Sequence, residues 1–166
     1  HGEVLCDSGS EPLGPARLWC DGRNEAEGHE LTDHLGVKCP KRMTASRWLW
    51  TIRNRPDLAK QAAHITTPGG WIGRRLTGQW ILGIGDASGM FPIDQATLDY
   101  DAKRLADFDA LVAKAASGAT LPPLRDLLPS VRRVGEDGGS LDAHGAALLG
   151  LPEGTPLAPA EGDQPA

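Results

Sequence analysis

Short apolar runs broken by glycine and proline alternate along this chain with a few stripes at helical spacing. Residues 3–7 and 13–19 read as two extended runs around Ser8-Gly9-Ser10-Glu11-Pro12, a polar turn that signals a hairpin. Residues 24–35 predict a polar helix with Asn24 as N-cap and Gly36 as stop. Residues 44–55 predict a stronger helix, with Trp48, Leu49 and Ile52 on its apolar face and Arg47 and Arg53 off it. Pro56 opens a further helical stretch over 57–63. A buried strand is expected at 64–67, then a short helix over 71–76 behind Pro68-Gly69-Gly70. The glycine-rich segment 83–94 has no clear period. Residues 102–116 carry the cleanest amphipathic pattern, with Leu105, Phe108, Val112 and Ala115 in register. A small helix over 141–149, ended by Gly150 and Pro152, precedes a final strand over 155–160.

Together these elements predict an α/β fold of mixed strands, with no internal repeat and no domain break. At 166 residues, 40% hydrophobic and 23% charged, the chain is long enough for one ordinary core. Its 21 Gly and 13 Pro favour turns and short elements over a helical bundle. A net charge of −5 argues against nucleic acid or an anionic membrane as partner. No apolar run reaches the roughly 20 residues of a membrane-spanning helix. Cys6, Cys20 and Cys39 cannot all pair, so a reducing cytoplasm is the simplest compartment. The chain opens at His1 without a Met and stops just after Glu161-Gly162-Asp163-Gln164, and both ends read as cut.

Some constellations fail on spacing. His29 and His34 suit a zinc pair, but Cys20 and Cys39 flank them too far apart, so no metal ligand is expected. Gly83-Ile84-Gly85-Asp86-Ala87-Ser88-Gly89 lacks the spacing of a dinucleotide loop, and no phosphate-binding loop or nucleophile elbow occurs. Trp48, Trp50, Trp71 and Trp80 lie at amphipathic or strand positions and are expected in the core.

Other patterns occur in a telling order. His1-Gly2 before a strand is similar to a Met-His-Gly turn. Leu18-Trp19-Cys20-Asp21-Gly22-Arg23 is similar to a Trp-Asn-Asp-x-Arg segment, with Cys20 in place of Asn. Trp48-Leu49-Trp50, Pro56 and Trp71–Gly78 follow, then Asp86-Ala87-Ser88-Gly89. Gly150-Leu151-Pro152-Glu153-Gly154-Thr155-Pro156 leads to Glu161-Gly162-Asp163-Gln164, where Glu161 replaces a usual Gly. This ordered series, covering nearly the whole chain, resembles the FGGY family of carbohydrate kinases, and its xylulokinase-like pentulose kinases in particular.

The resemblance implies part of a ribonuclease-H-like domain of the actin-like ATPase and sugar kinase superfamily, with added helices and a β-hairpin. Residues 1–166 would be part of the N-terminal, sugar-binding domain, without the ATP-binding domain. It implies a parent enzyme that moves the γ-phosphate of ATP, with Mg2+, to a hydroxyl of a ketose or polyol; the fragment alone is expected to be inactive. The partner is then a small sugar, with no nucleic acid and no membrane, and with a homodimer left open. Asp163 matches the catalytic carboxylate, which would take the proton from the sugar hydroxyl. By residue chemistry alone, an Asp beside Gly after a strand is an ordinary turn residue. Gln164 and His1 match sugar contacts, although a terminal His is also commonly tag or disordered. Asp21 and Arg23 either hold the sugar or pair with each other. Glu161 either raises the pKa of Asp163 or, the better expectation, points to solvent. A non-catalytic binding or scaffold protein derived from the same fold is the alternative.

Overall fold

The computed structural model describes residues 2–115 and 121–162, with the side chain of Ala115 left aside. Its apolar triplets make strands of three residues only. β1 (Val4–Cys6) is buried along its length and pairs antiparallel with β2 (His64–Thr66), Leu5 facing Ile65. The hairpin expected at 3–19 is present in outline, but its return arm is no strand. It touches β1 through isolated bridges at Glu3–Arg17 and Cys6–Pro12 and a Leu13 N–H to Leu5 O bond of 2.8 Å. Pro12 and Pro15 lack N–H donors and deny that arm a continuous ladder.

Three helices lie between these strands: α1 (Glu25–Leu35), α2 (Thr44–Asn54) and α3 (Pro56–Ala59). Gly36 closes α1 at φ 65°, as expected, yet Asn24 does not cap it; its amide donates instead to Lys41 O at 2.8 Å. The apolar face of α2 is buried as predicted, but Arg47 is wholly buried with it. Arg53 stays outside, held by both Glu30 oxygens at 2.6 and 2.8 Å. α3 ends four residues early because the chain turns away to give the Ala63 N–H to Cys6 O at 2.8 Å.

α4 (Pro68–Thr77) begins three residues before the apolar stripe suggested. Thr67 caps it, accepting from Gly70 N at 3.0 Å, and Gly78 ends it at φ 72°. β3 (Ile81–Gly83) runs directly into α5 (Ile84–Ser88). After α6 (Ala102–Ala115) and α7 (Leu124–Leu127) comes β4 (Ser130–Arg132), which pairs parallel with β3, Leu82 opposite Val131. α8 (Ala143–Leu149) is capped by Asp142, which accepts from Gly145 N at 2.8 Å.

Residues 155–160 form no strand, contrary to expectation. Leu157 N–H reaches Gly139 O at 2.7 Å and Gly138 N–H reaches Leu157 O at 3.0 Å, but Pro156 and Pro159 interrupt any ladder. The main core joins α1, α2 and α6 to β2 and β3; Phe91 and Phe108 meet edge to face in it at 6.1 Å. Such a contact is worth about 0.5–1.5 kcal/mol beyond the buried area. A second small cluster, Leu76, Leu141 and Ala146, joins α4 to α8. Of the four tryptophans expected in the core, only Trp48 is buried. Trp50, Trp71 and Trp80 are half-buried, each beneath an arginine. Their indoles cover the rim of the core while guanidinium groups lie over their faces. Among the described residues no helix is long and apolar enough to cross a membrane.

Candidate functional site

Four segments far apart in sequence meet at the start of α4, and glycines let them approach. A Cβ on Gly2 would stand 3.0 Å from both Arg17 O and the Pro68 ring. One residue on, a Cβ on Gly69 would face Ala160 Cβ at 3.5 Å and Asp86 Oδ2 at 3.8 Å. Gly83 donates its N–H to Ala160 O at 2.8 Å, and a Cβ there would overlap the Glu161 carboxyl. Residue 2, the Pro68–Gly69 step, the β3–α5 junction and residues 160–162 therefore share one corner. His1, Asp163 and Gln164, adjoining it in sequence, lie outside the described residues.

Two carboxylates line that corner. Asp86 is 4% exposed and accepts from Thr67 Oγ1 at 2.6 Å. Burial pushes its carboxyl up, and the Thr67 hydrogen bond opposes that in part. Glu161 does not point to solvent as expected: it is half-buried and its Oε2 accepts from the Asp86 N–H at 3.2 Å. Its Oε1 is buried without a partner among the described residues. Glu161 faces inward because Gly83 leaves its carboxyl room. The signal for this arrangement is Thr67 before Pro68-Gly69-Gly70, an N-cap pattern whose hydroxyl also holds Asp86.

Asp21 and Arg23 do come together, with each other. Arg23 Nη2 lies 2.8 Å from Asp21 Oδ2, and its Nε and backbone N–H donate to Asp21 Oδ1 at 3.0 and 3.1 Å. Burial raises the Asp21 carboxyl, but Arg23's hydrogen bonds and charge outweigh that and hold it below the usual carboxylate range. The Arg23 guanidinium also lies over the Trp50 ring at 5.1 Å. This pair lines a cavity of about 460 Å³ together with Glu3, Leu13, Arg17 and Trp50. Behind it sits a buried ionic network that sequence reading missed. Glu3 pairs with Arg17, and Arg47 donates to Leu18 O at 2.8 Å. Burial raises the Glu3 carboxyl although Arg17 and Arg47 oppose the shift. Residues 18 and 19 lie beyond this network with Leu18 61% and Trp19 66% exposed.

The chain matches the family described as "FGGY family of carbohydrate kinases, N-terminal domain" over residues 1–166. It is 32% identical to a xylulose kinase of Streptomyces coelicolor over 100% of this chain and 34% of that protein. Among solved structures it resembles a xyloylose kinase from Brucella ovis, with 25% identity and a TM-score of 0.78 over 98% of this chain and 32% of the other. A xylulose kinase from Rhodospirillum rubrum superposes with a TM-score of 0.76 at 23% identity, over 96% of this chain and 32% of that one. The fold is thus part of the actin-like ATPase fold of sugar kinases, and the chain spans about a third of the relatives' length.

Proposed function

The chain belongs to the FGGY family of carbohydrate kinases, in its N-terminal domain, and on that premise we propose that its parent protein phosphorylates a ketose, a pentulose first among them, or a polyol, from ATP. The observation that carries this reading is the match of the whole chain to the family and, at 32% identity, to a xylulose kinase.

Transfer of a phosphoryl group to an alcohol requires a held hydroxyl, an acceptor for its proton and cover for the phosphate charge. Asp163 takes the proton, and a positioned base of this kind is worth about 10²–10⁴-fold in rate. The segment leading to it is tied down by two bonds, Gly83 N–H to Ala160 O and Asp86 N–H to Glu161. His1 and Gln164 supply hydroxyl contacts. Asp21 and Arg23 contribute as a pair, their mutual hydrogen bonds fixing the direction in which each meets a sugar. ATP supplies the phosphoryl group, and Mg2+ offsets its charge when bound. The family resemblance leaves most of the Mg2+ and ATP site to the part of the parent that this chain does not span. The same reading places the parent in the cytoplasm.

The test is a panel of ketoses and polyols assayed with the full-length parent and its Asp163→Asn variant. A pentulose should be phosphorylated, and the variant should lose about 10²–10⁴-fold in kcat while sugar binding by calorimetry holds. Unchanged turnover would remove Asp163 from the role. A parent that binds sugar but transfers no phosphate would point to the non-catalytic binding protein instead.

A further inference from the structure

Residues 3 and 17 are joined three times over. Their backbones exchange two N–H···O bonds, each of 2.9 Å. Arg17 Nε also donates to Glu3 Oε2 at 2.6 Å, with Nη2 on the same oxygen. The Glu3 side chain is 1% exposed and that of Arg17 12%, so the pair is shielded from water. Arg17 Nη2 reaches across to α2, donating to Thr51 Oγ1 at 2.5 Å and Arg47 O at 3.0 Å. Arg47, itself wholly buried, returns a hydrogen bond to Leu18 O at 2.8 Å. One exit from this rung is Gly2, at the corner beside Pro68. The other is Leu18 and the segment that carries Asp21 and Arg23.

A buried ion pair is a weak source of stability, because desolvation of both charges offsets most of their attraction, and apolar replacements of similar volume are often neutral. A forked guanidinium provides direction instead: its donors fix several acceptors in one plane, which an aliphatic side chain does not. Here those acceptors are a strand-end carboxylate and two groups on a buried helix. We propose that Glu3 and Arg17 are positioning residues of the sugar site, holding Gly2 and residues 18–23 in register while adding little to the stability of the fold. The inference rests on the kinase reading above.

The test uses the full-length parent with Glu3 and Arg17 both changed to Leu, beside the conservative Glu3→Gln. The double variant should melt close to the wild type. Its KM for the sugar should rise by about 10–10²-fold, the scale of a misplacement near 1 Å, while KM for ATP holds and Glu3→Gln recovers most of the loss. An unchanged sugar KM in the double variant overturns the proposal, and so does failure of that variant to fold. If the wild type phosphorylates no sugar in the panel, the kinase reading falls separately, and hydrogen exchange then decides the positioning role. Faster exchange of the 18–23 amides in the folded double variant upholds it; unchanged exchange refutes it.

Discussion

His64 opens β2 with its ring stacked on Trp80, the centroids 4.4 Å apart, while the Arg74 guanidinium lies over the same indole at 5.5 Å. Burial first, and the Arg74 charge second, hold its pKa below the ordinary 6.5. A base whose folded pKa is depressed takes up its proton more readily when unfolded. Its contribution to stability is therefore complete above pH 6.5 and is lost as pH falls from there through the depressed folded value. The urea midpoint should drop between about pH 7 and pH 5, and less steeply in His64→Gln; an identical slope in the variant would clear His64. Arg47 teaches a related lesson. Its place off the apolar stripe of α2 argues for exposure, and its burial becomes legible only with Leu18 O beside it.

At the scale of elements, two helical glycines have opposite roles. In α8, a Cβ on Gly145 would meet Leu76 O at 2.2 Å and two further Leu76 backbone atoms at 2.9 Å. That same carbonyl accepts the Asp142 N–H at 3.0 Å, so it is poorly placed to yield. Gly145→Ala should destabilise by about 1–3 kcal/mol, the range for overpacking a tight contact. In α4, a Cβ on Gly73 meets nothing within 4 Å. Gly73→Ala should stabilise by about 0.5–1 kcal/mol through lost chain entropy. Urea unfolding of both variants checks the pair, and equal signs would contradict the packing of α4 on α8. Helix ends marked by Gly36, Gly78 and Gly150 were legible because the left-handed turn that each adopts excludes most other residues. The strand expected at 155–160 is absent because Pro156 and Pro159 have no N–H to give a ladder.

For the molecule as a whole, the chain covers 34% of the xylulose kinase of Streptomyces coelicolor. Catalysis by positioning and electrostatics depends on groups set around the transferring phosphate from every side. The 166-residue chain expressed alone is therefore expected to show no sugar-dependent ADP release in a coupled assay, whereas on the proposed reading the full-length parent should. Turnover by the short chain would overturn the division of the site between this stretch and the rest. Among the described residues the four strands form two separate pairs, and the candidate corner lies at the start of α4, where distant segments meet.

Local physics was enough to determine most helices and their glycine stops, the α/β character and the family, since capping, periodicity and ordered motifs are all written within a few residues of one another. Tertiary structure alone decided that Arg47 is inside, that Glu161 turns in toward the Asp86 N–H, and that Asp21 spends its acceptors on Arg23. Each outcome depends on a partner or a space supplied by another segment: Leu18 O for Arg47, the bare Cα of Gly83 for Glu161, and Trp50 beneath Arg23. A polar side chain is buried or exposed according to whether its hydrogen bonds are met there, and that condition belongs to the folded arrangement.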